Sequence, residues 1–215
     1  MEREKIISVK NLTKEFGHFT AVKGISFDVY KGEIFGFLGA NGAGKTTAMK
    51  MLIGISNPTS GEANVAGFDV HSQADMVKKS IGYMSQKFSM YDDLTIKENI
   101  TFFFFFYGLS RIQIKQKIAQ LIEELELQEV ANNLVGSLPL GWKQKLSFSV
   151  ALLHEPKIVF LDEPTGGVDP ITRRQFWEMI YTQAYKGTTI FVTTHYMDEA
   201  EYCDRVSIMV DGSIE

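Results

Sequence analysis

The segment Gly39-Ala40-Asn41-Gly42-Ala43-Gly44-Lys45-Thr46 follows the apolar run Ile34-Phe35-Gly36-Phe37-Leu38. The run reads as a buried parallel strand, and Thr46 to Ile53 reads as the start of a helix. A glycine-rich loop between a strand and a helix leaves a chain few folds to choose from. Glycines let successive backbone N–H groups turn inward onto a phosphate, and the helix N-terminus adds its positive dipole end. Lys45 is placed to bridge the outer phosphates of a nucleotide. The Thr46 hydroxyl is the expected Mg²⁺ ligand at the head of the helix, and Thr47 beside it is expected to bind the nucleotide. A glycine turn carrying a surface lysine is the plainer alternative, but it requires neither the strand nor the helix.

With 215 residues, the chain suffices for one large domain or a domain with an inserted subdomain. Its net charge of −4 gives no sign of a sequence-independent grip on nucleic acid. Cys203 is the one cysteine, so an internal disulfide and a cysteine metal cluster are excluded. The most hydrophobic stretch, Phe102 to Tyr107, is far shorter than the roughly 20 residues a membrane helix needs. Any membrane role is therefore expected to come through a partner.

Ile6–Leu12 and Ala21–Val29 alternate as strands and are expected to form an antiparallel edge. Asn57-Pro58-Thr59-Ser60-Gly61 closes the first helix, and Glu62 to Val70 reads as a short strand pair. Lys79 to Gln86 reads as a core strand. From about residue 87 to residue 154, apolar positions recur at helical spacing, as in Ile114, Ile118, Leu121, Ile122 and Leu125. Thr95 is the expected N-cap of one of these helices, with Glu98 three residues on. Strands return at Lys157–Asp162, Thr188–Thr194 and Val206–Val210, with a helix over Ile171–Tyr185. The expected organisation is a single domain over residues 1–215. Residues 1–86 and 155–215 form an α/β core with an antiparallel β subdomain, and residues 87–154 form a mainly helical insertion. Glu215 falls where another strand would begin, which reads as a truncation.

Two carboxylates end the hydrophobic strand before them. Asp162 stands where ligands bind in an open α/β sheet and is placed to hold Mg²⁺, directly or through water. Glu163 is placed to polarise a water for in-line attack on a γ-phosphate. His195 follows the neighbouring strand, within reach of the same phosphate. Gln86 ends a third strand, and its amide can meet both Mg²⁺ and the attacking water. Arg173-Arg174 reads as a solvated or ion-paired helix face.

Together these residues resemble the nucleotide-binding domain of an ABC transporter, over essentially the whole chain. Gly39 to Thr46 matches the family's Walker A loop and Lys157 to Asp162 its Walker B strand. Glu163 matches the catalytic glutamate, Gln86 the Q-loop, Asp169 the D-loop and His195 the switch histidine. Phe16 stands where the family stacks an aromatic on adenine; Phe19 is a second candidate, and either ring also suits a core. The resemblance implies a P-loop NTPase, RecA-like core and Mg-dependent ATP hydrolysis. It also implies a second nucleotide-binding domain as partner, and a separate transmembrane permease that holds the chain at the inner face of the cell membrane. Thr194 to Glu201 and the Asp169-Pro170…Arg173-Arg174 segment resemble the drug, lipid or polysaccharide exporter branch. The competing readings are a soluble ABC ATPase outside transport and a module that only binds nucleotide.

One segment departs from the family. Its signature is usually Leu-Ser-Gly-Gly-Gln, which caps the ATP of the other subunit, and here Leu138-Pro139-Leu140-Gly141-Trp142 takes that place. Pro139 has neither hydroxyl nor N–H, so the site loses donors each worth roughly 1.5–3 kcal/mol toward a charged group. Gly141 and the first free amides of the helix remain as phosphate ligands. Either backbone and dipole suffice and the chain works as a homodimer, or it pairs with a second domain that carries a standard signature. The first is favoured, because Glu163 and His195 complete the hydrolytic set within this chain.

Overall fold

The computed structural model describes residues 3–86, 90–106, 111–125 and 127–215. Two sheets flank the first helix. In the antiparallel sheet, β1 (Lys5–Phe16) pairs with β2 (Phe19–Tyr30) and with β4 (Ser60–Val65), and β5 (Phe68–Asp69) extends the edge. The second sheet holds the buried strands β3 (Ile34–Leu38), β6 (Ile81–Met84), β7 (Ile158–Asp162) and β8 (Thr189–Thr194). It is completed by β9 (Arg205–Val210) and β10 (Ser213–Ile214), in the order β10-β9-β3-β8-β7-β6. All its pairings are parallel except β10 with β9.

Strand alternation divides the core into two layers. Phe35, Phe37, Phe160 and Phe191 face α1 (Lys45–Leu52), whose Ala48, Met49, Met51 and Leu52 also meet Ile7, Val9 and Leu12 of the antiparallel sheet. Ile34, Val159, Leu161, Ile190 and Val192 face the other way, onto Phe176, Trp177 and Ile180 of α6 (Pro170–Tyr185). Alternate residues of β3, β7 and β8 are thus buried on opposite faces, which is why β3 and the first four residues of β7 read as continuous apolar runs.

A separate cluster forms the helical region of α3 (Ile96–Phe106), α4 (Arg111–Glu124) and α5 (Leu140–Ala151). Thr95 and Glu98 form the expected reciprocal cap: the Thr95 amide donates to Glu98 Oε2 at 2.8 Å, and the Glu98 amide donates to Thr95 Oγ1 at 3.2 Å. Within the phenylalanine run, Phe104 is buried, while Phe102 and Phe105 are exposed; Tyr107 lies outside the described residues. The α5 helix joins both clusters, giving Leu146 and Val150 to the helical one and Phe148 and Ala151 to the sheet.

The strand expected over Lys79 to Gln86 is shorter. Lys79 and Ser80 end a helix, α2 (Ala74–Ser80), and the strand stops at Met84. Only Val77 of α2 is buried, so no apolar periodicity announced it.

Candidate functional site

The phosphate loop connects β3 to α1 as a turn. Gly44 caps the helix at φ 104°, and a Cβ there would stand 2.5 Å from the Ala21 carbonyl oxygen. Only glycine fits that approach. Lys45 is buried at 4% exposure, and its Nζ donates to the Gly39 and Ala40 carbonyls at 2.7 and 3.0 Å. Gly42, Gly44, Lys45, Thr46 and Thr47 line a cleft of ≈ 290 Å³ with Asn41, Gln86 and Glu163. Ala43 is buried behind the loop, where its carbonyl accepts from the Gly212 amide at 3.0 Å. A larger cavity of ≈ 590 Å³, bounded by Lys31, Lys117, Lys157 and Lys186, contains none of these residues.

Phe19 lines the phosphate-loop cleft and is 64% exposed. Phe16 faces it across the β1–β2 turn, outside that lining, with Lys14 Nζ 5.2 Å from its ring centre.

Parallel pairing places Asp162, Thr193 and Thr194 at one edge. The Thr193 hydroxyl donates to Asp162 Oδ1 at 2.6 Å, and the Thr46 hydroxyl lies 3.3 Å from the same oxygen. Burial pushes the Asp162 carboxyl above the ordinary carboxylate range, and neighbouring Glu163 pushes the same way; Thr193, Thr46 and Lys45 pull it back. Thr193 was not singled out from the sequence, although a hydroxyl inside a fully buried strand is itself a signal.

Glu163 leaves the strand with φ 48°, in the left-handed region. Its amide is held by the Thr193 carbonyl and hydroxyl, both at 3.1 Å. That turn swings the carboxylate away from Asp162 and into the cleft. There Gln86 Nε2 donates to Oε2 at 2.9 Å, His195 Nδ1 stands 3.2 Å from the same oxygen, and Lys45 Nζ lies 3.5 Å from Oε1. The sequence-predicted Glu163, His195, Gln86 and Lys45 are therefore one cluster, drawn from three parallel strands and the phosphate loop. A carboxylate so surrounded is equipped to accept a proton from water.

Hard oxygen donors suit Mg²⁺, which takes few protein ligands and completes its shell with phosphate oxygens and water. Thr46 and Asp162 already stand together, and among the described residues no group of three or more His, Cys, Asp or Glu forms a separate cage. The residues present fit that ion.

Asp169 caps α6, accepting from the Ile171 and Thr172 amides at 3.0 Å each, and the Thr172 hydroxyl donates to it at 2.6 Å. The Thr172 bonds hold its carboxyl below the usual range. Leu138 is buried, and Pro139 caps α5 without a side-chain bond. The Trp142 and Lys143 amides return to the Pro139 carbonyl at 3.0 and 3.2 Å, which turns the Leu140 and Gly141 amides outward at the helix start. Gly141 packs against α6, where a Cβ would meet Thr172 Cγ2 at 2.5 Å. Behind it, buried Gln144 donates to the Gly166 carbonyl at 3.2 Å.

The family model described as ABC transporter matches residues 22–166. The chain belongs to the ABC transporter family. It is 48% identical over 211 residues to the probable multidrug ABC transporter ATP-binding protein YbhF of Escherichia coli, covering 98% of this chain and 36% of YbhF. It therefore spans about a third of that relative's length. It is 38% identical to the Nod factor export ATP-binding protein I of Burkholderia orbicola, covering 96% of this chain and 68% of that protein. Among solved structures, the dimeric post-hydrolysis state of the ATP-binding cassette MJ0796 bound to ADP and Pi superposes with a TM-score of 0.86 at 25% identity, covering 97% of this chain and 96% of that one. The α/β fold with the P-loop NTPase core is thus the fold of ATP-binding cassettes, in agreement with the sequence. No described helix is long and apolar enough to cross a membrane.

Proposed function

We propose that this chain binds and hydrolyses ATP to drive a separate membrane permease, in the export direction. The observation that carries this is the convergence of Gln86, His195 and Lys45 on Glu163 beside the phosphate loop. The loop amides, Lys45 and the N-terminus of α1 hold the phosphates, and an aromatic ring of the β1–β2 turn, Phe16 or Phe19, stacks on the base. Mg²⁺, held by Thr46 and Asp162 with Gln86, neutralises phosphate charge when bound. Glu163 accepts the proton of the attacking water, which Gln86 orients, and His195 donates to the γ-phosphate.

Export is supported by the names of the relatives, which include multidrug, Nod factor export and linearmycin resistance ATP-binding proteins. A second cassette supplies its signature segment against this chain's ATP, Leu138 to Trp142 where it is another copy and a standard signature where it is a paralogue, a pairing that the dimeric neighbours support. The exposed rings of Tyr91, Phe102 and Phe105 lie on the helical region beyond Gln86, where the permease would dock. The docking groove expected from the sequence runs by Gln86 over about residues 87–94, of which residues 87–89 lie outside the described residues. Docking there places the chain at the inner face of the membrane. Phosphate release from Mg-ATP by the wild type and by Glu163→Gln tests the mechanism: the variant loses roughly 10²–10⁴-fold in rate, and equal rates overturn the assignment.

A further inference from the structure

Glu199 is fully buried, at 0% exposure, within the turn Met197–Tyr202 that follows His195. Its Oε1 accepts from the Thr165 hydroxyl at 2.5 Å and from the Trp177 indole at 3.3 Å, and Arg173 Nε lies 3.7 Å away. Glu199 Oε2 and Arg173 Nε have no hydrogen-bond partner among the described residues. A buried ion pair of this kind contributes less to stability than well-packed apolar side chains of the same volume. Its value lies in what it aims.

The Arg173 guanidinium lies 4.1 Å from the centre of the Tyr196 ring. That ring in turn lies 4.2 Å from the His195 imidazole, inclined at 35°. On the other side, the Thr165 tether fixes the loop two residues beyond Glu163. One buried carboxylate thus holds both walls of the cluster.

We propose that Arg173, anchored on Glu199 and packed through Tyr196, is a positioning residue that sets His195 against Glu163. The inference rests on the hydrolytic roles assigned above to His195 and Glu163. It touches no reacting atom itself, so it acts on turnover and not on nucleotide capture. Of the solvated or ion-paired face expected for Arg173, the ion-paired form is present: its guanidinium faces Asp198 and Glu199, and its side chain is only 18% exposed.

The test is a double-mutant cycle on the full chain, with phosphate release and equilibrium binding of a fluorescent ATP analogue as readouts. Arg173→Gln lowers kcat by more than about tenfold, with analogue affinity held within about twofold. Tyr196→Leu does the same, and Tyr196→Phe restores most of the rate. In a His195→Ala background, Arg173→Gln costs less than about twofold more, because its effect is already lost. Equal losses in the two backgrounds, or a kcat untouched by both Arg173→Gln and Tyr196→Leu, overturn the inference alone. A His195→Ala protein with wild-type turnover overturns it together with the mechanism beneath it. Tyr196, half-buried beside the turn, keeps the test open if Arg173→Gln fails to fold.

Discussion

Restoring a serine and a glycine in the signature segment, Pro139→Ser with Leu140→Gly, separates backbone recognition from side-chain recognition of the partner's ATP. In the structure, α5 opens at Leu140 with Pro139 as its N-cap, and no side chain caps the helix. A serine there adds a cap worth about 1 kcal/mol to the helix. Facing a phosphate, its hydroxyl adds a charge-assisted bond of about 1.5–3 kcal/mol. Against this, glycine in place of Leu140 costs up to about 1 kcal/mol of helix propensity. It also removes a side chain 38% exposed that packs near Gly167. If the hydroxyl bond were wholly missing from the transition state, turnover would rise by about 10–150-fold. The Leu140 and Gly141 amides already point out of the helix start, and the dipole end adds to them. The account therefore predicts a rise below about tenfold, equivalent to about 1.4 kcal/mol. The assay is phosphate release at saturating Mg-ATP across a range of protein concentrations, because the contact is made between copies. A larger rise refutes backbone-only recognition and points to a partner with a standard signature.

Gly141→Ala forces its new methyl onto Thr172 Cγ2, 2.5 Å away, and Thr172 is pinned by its bond to Asp169. It should destabilise by about 1–3 kcal/mol. Thermal unfolding should fall by about 2–4 °C per kcal/mol, and Thr172→Ser, which removes that methyl, should restore most of the loss. Unchanged melting of Gly141→Ala would contradict the close packing of α5 on α6. His154 is half-buried, with Nε2 donating to the Ile81 carbonyl at 2.9 Å, and burial holds its imidazole below the usual range. The unfolded chain therefore binds the proton more readily, so stability falls as pH drops through the ordinary histidine range. The slope is at most about 1.4 kcal/mol per pH unit for one proton. Urea midpoints between neutral and mildly acidic pH should show a shallower fall in His154→Gln, and an identical fall would refute the assignment.

Local signals carried much of the site. The loop Gly39–Thr46 needed only its flanking strand and helix, and Asp162, Glu163 and His195 were found because each ends a buried apolar run. Parallel pairing then brought them together, and the left-handed turn at Glu163 aimed its carboxylate. Thr193 is not legible from spacing because its hydroxyl works across strands, onto Asp162, which is 31 positions away. The Glu199–Arg173–Tyr196 group was illegible for the same reason: its partners come from α6 and from the turn after β8, and no spacing links them. The short helix Ala74–Ser80 lacks a periodic apolar face, and its last residues, Lys79 and Ser80, read as the start of the next strand. Phe16 and Phe19 are paired across one turn, so sequence position alone did not separate a base-stacking ring from its neighbour.

The central claim is that this phosphate loop is half of a site completed by the signature segment of a second cassette, and that Glu163 ends the shared state by hydrolysis. The most direct measurement is the solution mass of Glu163→Gln with and without Mg-ATP, by light scattering after size exclusion. The account predicts a monomer near 24.2 kDa without nucleotide and a stable species of twice that mass with it. A variant that stays monomeric at saturating Mg-ATP, while still binding the nucleotide, would contradict it.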